Sequence, residues 1–147
     1  MQLAWEIYDF TGKLLKKANH IIKPVGFIIP EEAIKIHGIT NEIAIKKGLD
    51  LKEVLIEFNK DLENVNLLVA HNIEFDINII KAEYLRTNLP DMISGINLFC
   101  TKKNSTEFCA LPGGNNGKYK WPTLSQLYSK LFKTNFENAH NASYDVS

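Results

Sequence analysis

Residues 67–80 read LLVAHNIEFDINII, and this stretch decides the fold. Two apolar runs are separated by a His-Asn pair, and the second run contains one carboxylate, Asp76. The first run, Val65 to Ala70, is short and uncharged, which predicts a buried strand. The second has helical spacing and predicts a helix that Asn72 caps and that ends near Thr87, ahead of a proline.

The position of Asp76 on this helix is unusual for an acid. Ile73, Asp76, Ile77 and Ile80 follow the i, i+3, i+4, i+7 spacing of one helix face, so Asp76 is expected on the apolar stripe. An ionised carboxylate there costs several kcal/mol unless it is paired or holds a metal. The helix dipole offsets only about 0.3–1 kcal/mol of that cost. Two interpretations stay open: a metal ligand, or a capping acid that turns to water.

The C-terminal stretch repeats this design. Residues 139–145 read AHNASYD, and Ala142, Asp145 and Val146 share one helical face downstream of a second His-Asn pair. Two acids on core-facing sides of two helix starts suggest a shared divalent ion, and carboxylate oxygens suit Mg²⁺ or Mn²⁺. His140 is then a candidate base for activating water. Two metals flanking a phosphate are a known arrangement for phosphodiester hydrolysis.

The rest of the chain reads as strands alternating with helices after an initial hairpin, which predicts an α/β fold with a sheet of mixed direction. The expected elements, in order, are a strand in QLAWEIYDF, a turn at 11–13, a strand at 14–22, a helical turn from Pro30, a helix from Thr40 to about Gly48, a helix capped by Asp50, the strand and helix above, a strand at 92–99, a loop over 103–121 and a helix from Pro122.

Composition narrows the class of protein. The 147 residues include 45% hydrophobic and 23% charged residues, with 17 basic and 17 acidic side chains, which is typical of one globular domain. Zero net charge argues against a strong general grip on duplex nucleic acid, although a local basic patch stays open. The apolar runs are too short to span a bilayer, and no signal peptide follows Met1, so no membrane partner and a cytoplasmic location are expected. Cys100 and Cys109 fit a reducing compartment better than a disulfide or a zinc site.

Three motifs in order give the sequence a resemblance to the DEDDh family of 3′–5′ exonucleases, which includes the epsilon proofreading subunit of bacterial DNA polymerase III. LVAHNIEFD, with Asp76, resembles the second exonuclease motif of that family. His140, Ala142 and Asp145 match its third, H-x-A-x-x-D, and IHGIT at 36–40 matches a segment that lines a nucleotide pocket. Agreement also runs through QLAWEIYDFTGKLL, KPVGFIIPEEA and KWPTLSQLY, so the resemblance covers nearly the whole chain.

The resemblance implies a fold and an activity. The fold is ribonuclease H-like, with a mixed five-stranded sheet flanked by helices. The activity is metal-dependent removal of nucleoside 5′-monophosphates from single-stranded or frayed DNA 3′ ends, in proofreading or DNA maintenance, with a DNA polymerase subunit as a candidate partner. The implied site residues are Asp145 and Asp76 for Mg²⁺ or Mn²⁺, His140 as general base, Asn72 and Phe75 beside Asp76, and His37, Gly38 and Ile39 against the terminal nucleoside.

The sequence departs from the family at its ends. The first family motif, Asp-x-Glu on the first strand, has no counterpart, and Glu6 and Asp9 do not form such a pair. We therefore expect residues 1–147 to be one exonuclease-type domain that is truncated at both ends, lacks its first strand and binds metal more weakly. The alternative function is a catalytically impaired module that binds nucleic acid or a polymerase.

Several basic and aromatic residues outside these motifs are left open. Trp121 is a candidate for base stacking, whereas Trp5 alternates with apolar residues and is expected in the core. Four lysines near the predicted loop are candidates for phosphate contacts, and a solvated loop is the alternative: Lys102, Lys103, Lys118 and Lys120.

Overall fold

The computed structural model describes residues 2–134, and these form two compact units. The first unit holds residues 2–58 and the second holds residues 59–134. Each unit is described separately below. The predicted helix at HNASYDVS lies outside the described residues.

The first unit begins with the predicted hairpin. Strands β1 (Gln2–Tyr8) and β2 (Leu14–Ile21) pair antiparallel. The turn forms because Asp9 Oδ1 accepts hydrogen bonds from the backbone N–H of Thr11 at 2.8 Å and of Lys13 at 3.0 Å. Such an Asx turn is a local feature of the sequence, and the hairpin prediction is confirmed.

Three helices follow the hairpin: α1 (Glu31–His37), α2 (Asn41–Lys47) and α3 (Leu51–Leu62). Local caps start two of them, because Thr40 Oγ1 accepts from the Ile43 N–H at 3.2 Å and Asp50 Oδ1 accepts from the Lys52 N–H at 2.8 Å. The ring of Trp5 meets Phe58 of α3 edge to face, with 5.1 Å between centroids, and both side chains are buried. Trp5 is therefore a core residue, as predicted.

A smaller cluster supports the segment between α1 and α2. Ile29, Ile39 and Ala44 are buried together. The side chain of Asn41 fixes the backbone of Ile29, since Oδ1 accepts from its N–H at 2.7 Å and Nδ2 donates to its carbonyl at 3.1 Å. Gly38 ends α1 at φ +71°, a conformation that glycine adopts without steric cost.

The second unit contains a β-α-β arrangement. Strand β3 (Leu67–Ala70) pairs in parallel with β4 (Asn97–Cys100), and helix α4 (Ile73–Thr87) connects them. One face of α4 is buried through Ile73, Ile77, Ile80 and Tyr84. The observed helix agrees with the predicted span.

Three of the predicted elements in this unit differ from the observed ones. The strand predicted at 92–99 is limited to β4, Asn97–Cys100. The strand at β3 is not buried, because Leu67 and Val69 are 52% and 53% exposed. Residues 103–121 are not one loop, because two short helices, α5 (Thr101–Asn104) and α6 (Thr106–Cys109), precede a 3₁₀ turn at Asn115–Gly117. Both helices are single turns, too short to show a periodic apolar pattern in the sequence. The Thr106 hydroxyl donates to the Lys102 carbonyl at 3.0 Å across their junction.

The last described helix, α7 (Leu124–Phe132), starts as predicted. Thr123 and Gln126 form a capping box, in which each side chain bonds the other residue's backbone N–H. The predicted α/β class of mixed strand direction is confirmed. Residues 2–134 supply four strands in two separate ladders rather than one five-stranded sheet. Within the same residues, no helix has the length and apolar character needed to cross a membrane.

Candidate functional site

The carboxyl ends of β3 and β4 place polar residues side by side. His71 and Asn72 follow β3, and Thr101 and Lys102 follow β4, at the same edge of the parallel pair. This edge is where α/β sheets bind ligands, because loops and helix N-termini converge there. The edge, together with the first turn of α4, is called the carboxyl-edge site below.

Asp76 lies in the first turn of α4, and its side chain is exposed. The prediction that it lies on the buried stripe is wrong, since α4 turns Ile73 and Ile77 inward and leaves the acid at the surface. The surrounding protein removes water from the carboxyl group, and this desolvation raises the pKa of Asp76. The backbone N–H of Asp76 has the opposite, smaller effect on that pKa. Because its side chain is exposed, the Asp76 carboxyl group is accessible at the carboxyl-edge site.

Asn72 is the N-cap residue of α4, as predicted, but its side chain makes no capping hydrogen bond. Its backbone is left-handed, at φ +73°. Instead Asn72 Oδ1 accepts from Lys102 Nζ at 3.3 Å. Phe75, the other residue predicted to shape the site, is 62% exposed on the same turn as Asp76. The structure thus brings Asn72, Phe75 and Asp76 together.

His71 is a structural residue of this edge that sequence reasoning gave no role. Its ring lies 3.1 Å from both Thr101 Oγ1 and the Pro122 carbonyl oxygen. Because the carbonyl only accepts, Nε2 donates to it and Nδ1 accepts from the threonine hydroxyl. Burial lowers the pKa of His71, and the charge of Lys102 adds to this effect. The neutral ring therefore ties the end of β3 to two later segments, and the His-Asn pair at a strand end was the signal available in the sequence.

The thiol of Cys100 lies buried where β4 ends. Burial opposes its ionisation, but the nearby backbone N–H groups of Lys103, Ile73, Asn72 and Lys102 outweigh burial and lower the pKa of Cys100. Cys100 and Cys109 are both free thiols, so the disulfide is not formed. No group of three or more His, Cys, Asp or Glu side chains in residues 2–134 is arranged to hold a metal ion, zinc included.

The segment His37-Gly38-Ile39 lies in the first unit. The His37 ring accepts at Nδ1 from the Ile39 N–H at 3.0 Å, which locks the segment beside the end of α1. His37 and Ile39 line a cavity of about 440 Å³, whose other lining residues are Gln2, Asn19, His20, Ile21, Lys47 and Leu49. That volume is in the range of small-ligand sites.

The remaining predicted site residues, His140 and Asp145, lie outside the described residues. The early acids that were not assigned a metal have other partners: Glu6 pairs with Lys17 at 2.7 Å, and Asp9 holds the hairpin turn. In the described part of the chain, Asp76 belongs to no group of three or more His, Cys, Asp or Glu side chains that could hold a metal ion. A metal site needs at least one further acid, for which Asp145 is the candidate from the sequence.

Comparison with solved structures defines the class of protein. Exonuclease I of E. coli, in complex with a dA16 oligonucleotide, superposes with a TM-score of 0.80 at 17% identity, over 99% of this chain and 34% of that one. Exonuclease X, in complex with 5′ overhanging duplex DNA, superposes with a TM-score of 0.62 at 26% identity, over 98% of this chain and 74% of that one. The chain has the ribonuclease H-like fold of these exonucleases.

Sequence comparison then identifies the family. Residues 10–147 match the RNase_T family, described as exonuclease, and the chain belongs to that family. The DNA polymerase III epsilon subunit of Buchnera aphidicola is 31% identical over 148 residues, which cover 97% of this chain and 56% of that protein. A PolC-type DNA polymerase III of Lactococcus lactis is 34% identical over 135 residues, which cover 92% of this chain and 7% of that protein. The chain thus spans about half of one relative and a small part of the other.

Proposed function

We propose that this chain is a metal-dependent 3′–5′ exonuclease domain that acts on DNA ends. The observation that carries the proposal is the exposed Asp76 carboxylate in the first turn of α4, beside the carboxyl ends of two parallel strands. Membership of the exonuclease family supports it. DNA-bound exonuclease X, at 26% identity, supports DNA as the substrate class.

In the proposed reaction, water attacks the terminal phosphodiester. His140 takes a proton from that water, and the bond between phosphorus and the 3′ oxygen of the preceding nucleotide breaks. That oxygen leaves with a proton taken from solvent, to which His140 returns its own. The product is a nucleoside 5′-monophosphate. Asp76 and Asp145 are the proposed ligands of Mg²⁺ or Mn²⁺, whose hard-cation chemistry suits carboxylate oxygens. When bound, such an ion neutralises phosphate charge and favours ionisation of water.

A further group of residues is proposed for the nucleoside end of the substrate. We infer that His37, Gly38 and Ile39 contact the terminal nucleoside, and the cavity that His37 and Ile39 line supports this role. Asn72 and Phe75 are proposed to shape the site around Asp76. Single-stranded or frayed 3′ ends are the proposed partners. The names of the curated relatives, which are DNA polymerase III proteins, support a polymerase subunit as a second partner and a cytoplasmic role in proofreading or DNA maintenance.

A nuclease assay tests this function. A 5′-labelled single-stranded oligonucleotide is incubated with Mn²⁺ and the wild-type chain, and product lengths are read on a sequencing gel. We expect stepwise shortening from the 3′ end that is lost in Asp76→Asn and in Asp145→Ala. Glu74→Gln is the matched control, because Glu74 is an exposed acid two residues from Asp76 that pairs with Lys103 at 2.6 Å; it should keep activity.

Two results would contradict the exonuclease proposal. Full activity in Asp76→Asn would show that this carboxylate has no part in the reaction. A folded wild-type chain that binds the oligonucleotide without shortening it, at millimolar Mn²⁺, would instead favour the alternative of a catalytically impaired binding module.

A further inference from the structure

Positive charge is concentrated in one segment of this neutral chain. Residues 101–130 contain five lysines and one glutamate, a net charge of +4, whereas the whole chain has a net charge of zero. The segment starts at the carboxyl end of β4 and runs through α5 and α6 into α7. A basic segment on an otherwise balanced protein is typical of contact with a polyanion.

Within this segment, Lys102 and Trp121 form a pair. Lys102 Nζ lies 4.8 Å from the centroid of the Trp121 ring, and Trp121 is 55% exposed. The other partner of Lys102 is the Asn72 amide oxygen, at 3.3 Å. Both partners are neutral, and in residues 2–134 no carboxylate lies within ion-pair distance of Lys102. Among residues 2–134, Lys102 is thus held by two neutral groups and by none of the ion pairs.

The neighbouring Lys103 gives the contrast. It belongs to the same short helix, but its Nζ lies 2.6 Å from Glu74 Oε1. This pair raises the pKa of Lys103, chiefly through the hydrogen bond to Glu74. Lys103 is therefore already neutralised by a partner, whereas Lys102 has no such ion pair among residues 2–134.

Other residues of the segment repeat the same chemistry. Lys118 and Lys120 are exposed and alternate with two exposed aromatic side chains, Tyr119 and Trp121. Lys130 Nζ lies 6.0 Å from the centroid of the Phe108 ring, which is half exposed. Lysines alternating with exposed rings are the arrangement with which proteins hold single strands, since bases stack on rings while ammonium groups meet phosphates.

We propose that Lys102 and Trp121 form a platform for one nucleotide of a single strand, next to the carboxyl-edge site. The indole of Trp121 stacks on a base, and Lys102 contacts an adjacent phosphate. Lys102 also bonds Asn72, which directly precedes α4 and Asp76, so the strand is guided toward that carboxylate. The inference rests on the proposed function for its substrate class, but binding by the platform does not require hydrolysis. Because every base has a stacking face, the platform accepts any sequence.

Tryptophan fluorescence tests the stacking directly. The chain has two tryptophans, and Trp5 is 8% exposed in the core, so Trp5→Phe leaves Trp121 as the reporter. A single-stranded thymidine oligonucleotide is titrated in EDTA, where no metal-dependent cleavage occurs. We expect the emission of Trp121 to be quenched as the oligonucleotide binds. The titration of the wild-type chain with unchanged Trp5 gives the same test if Trp5→Phe does not fold.

Anisotropy of a labelled oligonucleotide then measures the contribution of each side chain. Trp121→Leu should weaken oligonucleotide binding about 5- to 150-fold, because the variant cannot stack a base. Lys102→Ala should weaken binding and reduce the slope of log affinity against log salt by about 0.7, the value for one single-strand phosphate contact. Lys103→Ala, which removes the same charge from the same helix, is the matched control and should change both quantities less. Circular dichroism verifies that each variant is folded.

The results separate this inference from the exonuclease proposal. If the chain does not hydrolyse DNA, but Trp121 emission is quenched and both variants bind the oligonucleotide more weakly, the platform is supported and the exonuclease proposal is contradicted. Hydrolysis with a KM that neither Trp121→Leu nor Lys102→Ala changes supports the nuclease and overturns the platform. Absence of oligonucleotide binding by the wild-type chain, or equal effects of Lys102→Ala and Lys103→Ala, also overturns it.

Discussion

Among single residues, Asp76 has a carboxyl group whose surroundings disfavour the ionised form. Its folded-state pKa is raised by desolvation, so the stability it contributes is present below the unfolded pKa of about 3.9 and is lost as the pH rises through the folded value. We predict that Asp76→Asn is at least as thermally stable as the wild-type chain at pH 7 while it loses nuclease activity. Thermal unfolding at pH 7 and pH 3 measures this, and the difference should shrink at pH 3. A variant clearly less stable at pH 7 would contradict this account.

Tyr84 gives a prediction at alkaline pH. Its side chain is 2% exposed, and burial, aided by the charge of Asp91, raises its pKa to about 12 from 10.0. The protonated phenol is favoured in the folded state, so stability is fully present below pH 10 and falls as the pH rises toward about 12. The phenol also donates to Asn59 Oδ1.

We therefore expect Tyr84→Phe to be less stable than the wild-type chain at pH 9, by about 1 kcal/mol for the lost hydrogen bond. Between pH 10 and 12 the wild-type chain should lose this advantage, because the variant has no phenol to ionise. Urea unfolding of the wild-type chain and the variant, at pH 9 and at the upper end of that range, measures the difference in unfolding free energy. A constant difference across that range would show that Tyr84 does not titrate with a raised pKa.

At the scale of elements, Asn41 joins the start of α2 to the segment before α1. Its side chain satisfies both the N–H and the carbonyl of Ile29, whose side chain is 5% exposed. Asn41→Ala leaves these groups without their partner, and we predict a loss of about 1–3 kcal/mol in unfolding free energy. Asn41→Asp keeps the acceptor and should lose less. Urea unfolding compares the three proteins, and equal stability of Asn41→Ala and wild type would show that water replaces both bonds.

The sequence predicted those elements whose causes are local. The hairpin turn at Asp9 and the helix starts at Thr40, Asp50 and Thr123 depend on side chains that bond backbone groups within four residues, so they are legible in the sequence. The errors concern tertiary contacts. The left-handed backbone of Asn72 moves its amide to Lys102, thirty residues away, and no periodicity announces that bond. For the candidate site, the roles of His37, Asn72, Phe75, Asp76, His140 and Asp145 stay predictions.

At the scale of the whole molecule, the β3–β4 ladder leaves apolar side chains exposed. Val69 of β3 pairs with Phe99 of β4, and the two are 53% and 42% exposed. Leu67, two residues before Val69 on β3, is also half exposed, so the same face of the sheet is apolar. Exposed apolar strands in short sheets promote association between chains.

We predict that the wild-type chain self-associates as its concentration rises into the tens of micromolar. Val69→Lys should reduce association, because a charge in the middle of this face must be desolvated on contact. Sedimentation velocity at several concentrations measures the mass. Ala82→Lys adds the same charge at an exposed position on α4 and is the control. A wild-type chain that stays monomeric at every concentration would contradict the prediction.

The buried thiols can report local opening of the structure. Cys100 and Cys109 are 8% and 5% exposed, and Cys100 lies where β4 ends and α5 begins. An alkylating reagent can modify such a sulfur only during a transient opening of the surrounding backbone. The rate of native-state alkylation, resolved by mass spectrometry, should therefore report how often the edge that carries Asn72 and Lys102 opens. We expect a bound oligonucleotide to slow the modification of Cys100. The alkylation rate of a side chain with no proposed chemical role would then report how often the site opens.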